Sequence, residues 1–156
     1  MRLKFLSIFN AKYLFLMFIV VMSLFPMSAI SESKQATLTI DVIGAISNQG
    51  QVILSVFDSE QSHLKIPKLT QTAPVTAGGQ TQFVIPDLDL GIYSISVIHD
   101  ENENGALDTN FLGIPSELVG SSNNVKSLFG PPSFKESAFE LSVSEKITIK
   151  LIDVLD

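Results

Sequence analysis

Leu38, Ile40 and Val42 alternate with Thr37, Thr39 and Asp41, and the same two-residue period returns along the chain. Val52, Leu54 and Val56 follow an Asn48-Gln49-Gly50 turn. Phe83 and Ile85 run into Pro86, and Tyr93, Ile95 and Val97 follow the turn at 87–91. Near the end, Phe139, Leu141 and Val143 face Ile147, Ile149 and Leu151 across Ser144-Glu145. Successive side chains of a strand point to opposite faces, so this period marks strands with one buried face. The runs predict three hairpins, and Pro74-Val75-Thr76 suggests a further strand. Only Ser59–Leu64 suggests a helical turn. The fold class that follows is all-β, an antiparallel sandwich of two sheets with about six to seven strands.

The first residues do not belong to that pattern. Arg2, Lys4 and Lys12 precede the apolar run from Tyr13 to Phe25, and Pro26, Met27, Ser28, Ala29, Ile30 and Ser31 follow. A basic start, a short apolar centre and small residues after it compose a secretory signal peptide. The run is shorter than the roughly 20 residues that a bilayer-crossing helix needs. Cleavage near Ala29 or Ser31 is therefore expected, with no stable membrane span left behind. The organisation predicted is a leader over 1–31 and a single sandwich domain over 32–156, exported to the periplasm or beyond.

Charge narrows the partners. The leader's charged residues are all basic, so a net charge of −6 becomes −9, carried by seven lysines, sixteen acids and no arginine. No basic stripe exists for a phosphate backbone, which excludes nucleic acid as the expected partner. The chain has no cysteine. Disulfides and lipid attachment at a processed cysteine are excluded, and stability must come from packing, hydrogen bonds or a metal.

From His99 to about Ser137 neither strand nor helix period is visible. Phe111, Leu112, Ile114, Leu118, Val119, Leu128, Phe129 and Phe134 are too many apolar residues for a solvated linker. Gly105, Gly113, Gly120 and Gly130 with Pro115, Pro131 and Pro132 predict fixed turns. The segment 99–137 is expected to form an ordered lobe folded back on one end of the sandwich.

The lobe opens with HDENENGALD, His99 to Asp108. Counted from Asp100, Asn102 is third, Asn104 fifth, Gly105 sixth, Ala106 seventh and Asp108 ninth, the front of a calcium loop D-x-[DN]-x-[DN]-G. Calcium takes six to eight oxygens, and alternate residues of a tightly curled loop point inward together. Asp100, Asn102, Asn104 and Asp108 would offer side-chain oxygens, and Ala106 a carbonyl. Position twelve holds Phe111 instead of the bidentate glutamate, so Glu117, Glu103 or water would complete the shell. No helix pair flanks the loop, which excludes an EF-hand. The plain alternative is a metal-free solvated turn, since Asp, Asn and Gly form turns without any ion.

His99 and His63 are the only histidines. They are too few for a zinc site built from histidine and cysteine. His99 beside Asp100 or Glu117 is the weak catalytic candidate, as general base or metal ligand. Hydrogen bonding of its ring to loop backbone is the commoner arrangement. His63 is expected on the surface of a short turn. Ser121-Ser122-Asn123-Asn124 lacks the G-x-S-x-G setting of a hydrolase, and its asparagines are expected to bond backbone or, alternatively, sugar hydroxyls. Phe129 and Phe134 are expected to pack the lobe, with an apolar ligand platform as the alternative.

The order HDENENGALDTNFLGIPSELVGSSNN followed by FGPPSF resembles the bacterial exported family catalogued as domain of unknown function 2141. The likeness runs from Leu38 to Leu151, with an aromatic expected near Gly120 missing. Membership implies an exported β-sandwich and no activity. Leu90-Gly-Ile-Tyr-Ser-Ile-Ser-Val97 also resembles the G-x-Y-x-x-x-V strand of transthyretin-like and carboxypeptidase regulatory-like sandwiches, an Ig-like architecture that speaks for fold alone. The expected function is a non-enzymatic exported module whose lobe, pinned by calcium, binds an unidentified ligand or protein. A metal-assisted hydrolase using His99 and a metal-free envelope protein are the alternatives.

Overall fold

The computed structural model describes residues 34–127 and 130–155, so the leader expected over 1–31, Leu128 and Phe129 lie outside the described residues. Eight strands appear: β1 (Gln35–Ile43), β2 (Gln51–Phe57), β3 (Leu69–Pro74), β4 (Gln80–Asp89), β5 (Gly91–Asp100), β6 (Val119–Ser121), β7 (Phe139–Leu141) and β8 (Glu145–Lys150). They form two sheets. One runs β4-β1-β8; the other runs β3-β2-β5-β6, with β7 also paired to β5.

The alternation placed the buried faces of β1, β2, β4 and β5 correctly, whereas Val143, predicted to share the inward face of Leu141, lies beyond β7 and is exposed. Leu38, Ile40 and Val42 of β1 and Phe83 and Ile85 of β4 face Val52, Leu54 and Val56 of β2 and Tyr93, Ile95 and Val97 of β5. Ile149, Leu141 and Leu151 complete this dry layer between the sheets. Each such aliphatic side chain contributes roughly 1.5–3 kcal/mol when withdrawn from water.

The predicted hairpins are a different matter. All three turns carry the chain from one sheet to the other. β1 pairs with β4 and β8, whereas β2 pairs with β3 and β5. β7 pairs with β5, while β8 lies parallel to β1, with Ile40 opposite Ile147. The sandwich is therefore antiparallel except for this pair. Periodicity fixes which face of a strand is wet, and it carries no information about which strand lies alongside. The further strand ends at Pro74, earlier than the run around Val75, and Ser59–Leu64 makes the expected helical turn, closed by His63 N–H on the Ser59 carbonyl at 3.1 Å.

Two features fix the ends. The Tyr93 hydroxyl donates to the Asp89 carbonyl at 2.8 Å, bracing the crossing from β4 to β5. Burial pushes that hydroxyl's pKa up. Val119 and Ile152 exchange both backbone hydrogen bonds, at 3.0 and 2.8 Å, which stitches β6 to the chain leaving β8.

The lobe is built differently from expectation. Phe111 is 94% exposed and Leu112 68% exposed. They cap a small hairpin in which Thr109 bridges to Pro115 and Asn110 N–H donates to the Ile114 carbonyl. Leu118 does pack against the core. Polar groups hold the rest. Buried Ser122 accepts the Ile95 N–H at 2.9 Å and donates to the Ser137 carbonyl, tying the returning chain to β5.

Candidate functional site

β5 decides the geometry at the start of the lobe. His99 is the last residue of its inward stripe, and Asp100 faces the opposite way; both are fully buried. The expected pairing of His99 with Asp100 or Glu117 is therefore not what the strand brings together.

Asp100 anchors the acidic loop. Gln51 lies directly across the β2–β5 ladder and its Nε2 donates to Asp100 Oδ2 at 3.0 Å. Gly105 N–H donates to the same oxygen at 2.8 Å, and Asn104 N–H to Oδ1 at 3.1 Å. Burial alone would raise the pKa of this carboxyl. The donated hydrogens of Gln51, Gly105, Asn104 and Glu103 outweigh it and hold the value below the ordinary range. Gly105 sits at φ +80°, the left-handed turn that position six of the motif requires.

The remaining polar heads bond to one another across an exposed turn. Asn104 N–H is shared with Asn102 Oδ1 at 3.0 Å, so the Asp100 and Asn102 oxygens converge on one donor. Asn102 Nδ2 donates to Asp108 Oδ2 at 2.6 Å, and Asn104 Nδ2 donates to both Asp108 oxygens at 3.1 and 3.2 Å. Ala106 lies on the exposed rim, its N–H donating to Asn104 Oδ1 at 2.8 Å. The Glu117 carboxylate clamps the loop's main chain, its Oε1 accepting Glu101 N–H at 3.2 Å and its Oε2 accepting Asp108 N–H at 3.0 Å. Among the described residues, no group of three or more His, Cys, Asp or Glu side chains is placed to hold a metal ion.

His99 turns Nε2 onto the Gln49 carbonyl at 2.9 Å. A carbonyl only accepts, so that nitrogen carries the hydrogen. The ring is closed off from solvent, the backbone-bonded arrangement named above as the commoner one.

His63 is not a free surface residue. Half-buried, it stands edge-on between Phe57 and Phe134, with ring centres 5.3 and 5.7 Å away. Its Nε2 is 3.0 Å from the Pro132 carbonyl and its Nδ1 3.4 Å from the Ser94 hydroxyl, which meets Ser137 Oγ at 2.8 Å. Ser94 and Ser137 are fully buried, so this cluster fastens the 130–137 segment to the outer face of β5. Phe134 packs as expected. Asn123 and Asn124 both spend their amides on backbone, the former on Glu136 and Ala138 and the latter on Thr148 and Lys150.

Sequence reasoning missed Gln51, Ser94, Ser137 and Ser47, whose hydroxyl donates to Glu101 Oε1 at 2.7 Å. Only Gln51 had a usable signal, a polar residue on a strand that would lie opposite Asp100 once the register was known.

Among the described residues, no helix is long and apolar enough to cross a membrane. No curated protein and no solved structure matches the chain. Residues 40–149, the span that holds both sheets, the loop and the lobe, match the family described as an uncharacterized protein conserved in bacteria (DUF2141), and the chain belongs to that family.

Proposed function

We propose that this is an exported, non-enzymatic binding sandwich whose acidic loop takes up calcium and so fixes the lobe as a recognition surface. One observation carries the reading: the heads of Asn102, Asn104 and Asp108 meet over the Gly105 turn, beside the anchored Asp100 carboxylate. The two amides present NH₂ groups to Asp108. Rotation about the last side-chain bond would present their oxygens instead, and the Ala106 carbonyl and water would add to the shell. Glu117 would serve from outside by holding both ends of the loop. Export rests on the leader pattern of residues 1–31. The buried His99 ring and its Nε2 bond leave a substrate no access, which supports binding over catalysis. Phe111 and Leu112 give the lobe an apolar tip.

A second reading has its own support. Asp100, Asn102, Asn104, Asp108 and Glu117 all have hydrogen-bond partners without any ion, so the lobe is equally complete as a metal-free structural element.

Calorimetry with calcium, together with the melting temperature of the intact chain and of Asp108→Ser, separates them. The calcium reading expects heat of binding and a stabilisation of about 2.7 kcal/mol at a hundredfold excess over Kd. Both should vanish in Asp108→Ser. Absence of heat and of any melting shift in the intact chain leaves the metal-free reading standing.

A further inference from the structure

The buried imidazole of His99 is only half satisfied. Nε2–H is bonded to the Gln49 carbonyl, yet Nδ1 has no hydrogen-bond partner and is shut away from solvent. With the hydrogen on Nε2, the neutral ring holds a lone pair at Nδ1. The group facing it is Glu101, whose Oε1 stands 3.7 Å away, too far for a hydrogen bond. Glu101 is itself positioned, since Ser47 Oγ donates to the same oxygen at 2.7 Å. Its side chain is 46% exposed, so the carboxylate itself is in reach of solvent while Nδ1 is not. Two electron-rich atoms thus face each other across a space that an ordinary hydrogen bond does not fill.

We propose that this gap is a site for a divalent cation of the zinc and copper class, bound by His99 Nδ1 and the Glu101 carboxylate. The lengths fit. Bonds of about 2.0–2.1 Å to nitrogen and 2.0–2.2 Å to oxygen at a tetrahedral angle place the two ligand atoms about 3.4 Å apart. A carboxylate on an exposed side chain closes the small difference. The outer bonds fit too. A metal-bound imidazole usually donates its other N–H to a backbone carbonyl or carboxylate, which fixes tautomer and ring orientation; Gln49 does this here. Ser47 orients the carboxylate in the same way.

Imidazole selects zinc, copper or nickel over calcium, so the site differs in ligand chemistry from the all-oxygen loop that begins one residue later. It does not depend on calcium binding. With two protein ligands the remaining positions belong to water, leaving an open coordination sphere.

The experiment titrates zinc into the full chain, calcium-free and then with calcium added, followed by calorimetry and by the nitrogen resonances of the imidazoles. One zinc per chain is expected, with a large shift confined to His99 Nδ1. Glu101→Gln should weaken binding at least tenfold while leaving the zinc-free melting temperature unchanged, because that side chain is half exposed. His63→Asn should bind as the parent does. The proposal is overturned if zinc leaves the His99 nitrogens unmoved, if Glu101→Gln binds equally well, or if His63→Asn abolishes binding. Persistence of zinc binding where calcium produces no heat would separate this site from the calcium loop.

Discussion

Gly50 lies directly against the backbone of Asp100: a Cβ added to Gly50 would stand 2.2 Å from the Asp100 carbonyl oxygen. The turn before β2 and the root of the acidic loop thus meet main chain to main chain, beside the side-chain bonds of His99 to Gln49 and of Ser47 to Glu101. Gly50 also sits at φ +74°, where an L side chain is strained. Gly50→Ala combines both faults, and neither neighbour is a flexible side chain that can step aside. It is expected to lose more than about 1 kcal/mol in urea unfolding. Gly78→Ala, with a φ of +98° but open space around the added carbon, should lose less.

Asp100 makes stability depend on acid. Its folded pKa is depressed, so its contribution is full above the unfolded value near 3.9 and disappears as pH falls through the lower folded value. Asp100→Asn should therefore be less stable than the parent at pH 7, by about 1.5–3 kcal/mol for the charged hydrogen bonds it loses. The two proteins should converge once pH has fallen below the depressed folded value. Melting curves at pH 7 and along a descending acid series check this, and a gap that stays constant with pH would contradict it.

Ser122 holds the lobe at its far end. Ser122→Ala orphans the Ile95 N–H and releases the Ser137 carbonyl, both at a fully buried position. A loss of about 1–3 kcal/mol is expected. Hydrogen exchange at the Ile95 amide should accelerate more than at Leu54, which sits in the neighbouring strand without a link to Ser122.

Exposure should govern apolar truncation. Phe111→Ser removes a ring that is 94% exposed, and stability should stay within about 0.5 kcal/mol. Leu54→Ala empties a fully buried site between the sheets and should cost about 2–5 kcal/mol. Comparable losses for the two would mean that the tip of the lobe packs against something.

What was legible before the structure follows from what each signal measures. The alternation at 38–42, 52–56 and 93–97 gave the inward stripes correctly, because burial writes a period of two directly into residue type. Partners were not legible. Asn48-Gln49-Gly50 looks like a hairpin turn whether the chain returns beside itself or crosses to the opposite sheet, and here it crosses. Asn102, Asn104 and Asp108 bond to one another within an exposed turn, an arrangement that their spacing allows with or without an ion. The direction of His99 did not, since strand parity places it opposite Asp100 only once β5 is known to extend to residue 100. Phe111 misled for a general reason: an apolar residue in a loop suggests burial, yet much of any folded surface is apolar.

Asn124 resolves a problem that the topology creates. β8 is an edge of the three-stranded sheet, and an edge exposes unpaired N–H and C=O groups. Asn124 Oδ1 accepts the Lys150 N–H at 2.7 Å, and its Nδ2 donates to the Thr148 carbonyl at 3.1 Å, so one side chain imitates a paired strand. The residue adopts φ +51° to do so, a conformation that asparagine tolerates better than most. Asn124→Asp keeps the acceptor for Lys150 and loses the donor to Thr148, whereas Asn124→Ala loses both and keeps the strain. Stability should fall in the order Asn, Asp, Ala, with the alanine variant down by about 1–2 kcal/mol. Light scattering during refolding should rise in the same order as the β8 edge becomes free to pair. Equal behaviour of all three would show that the edge is covered by some other group.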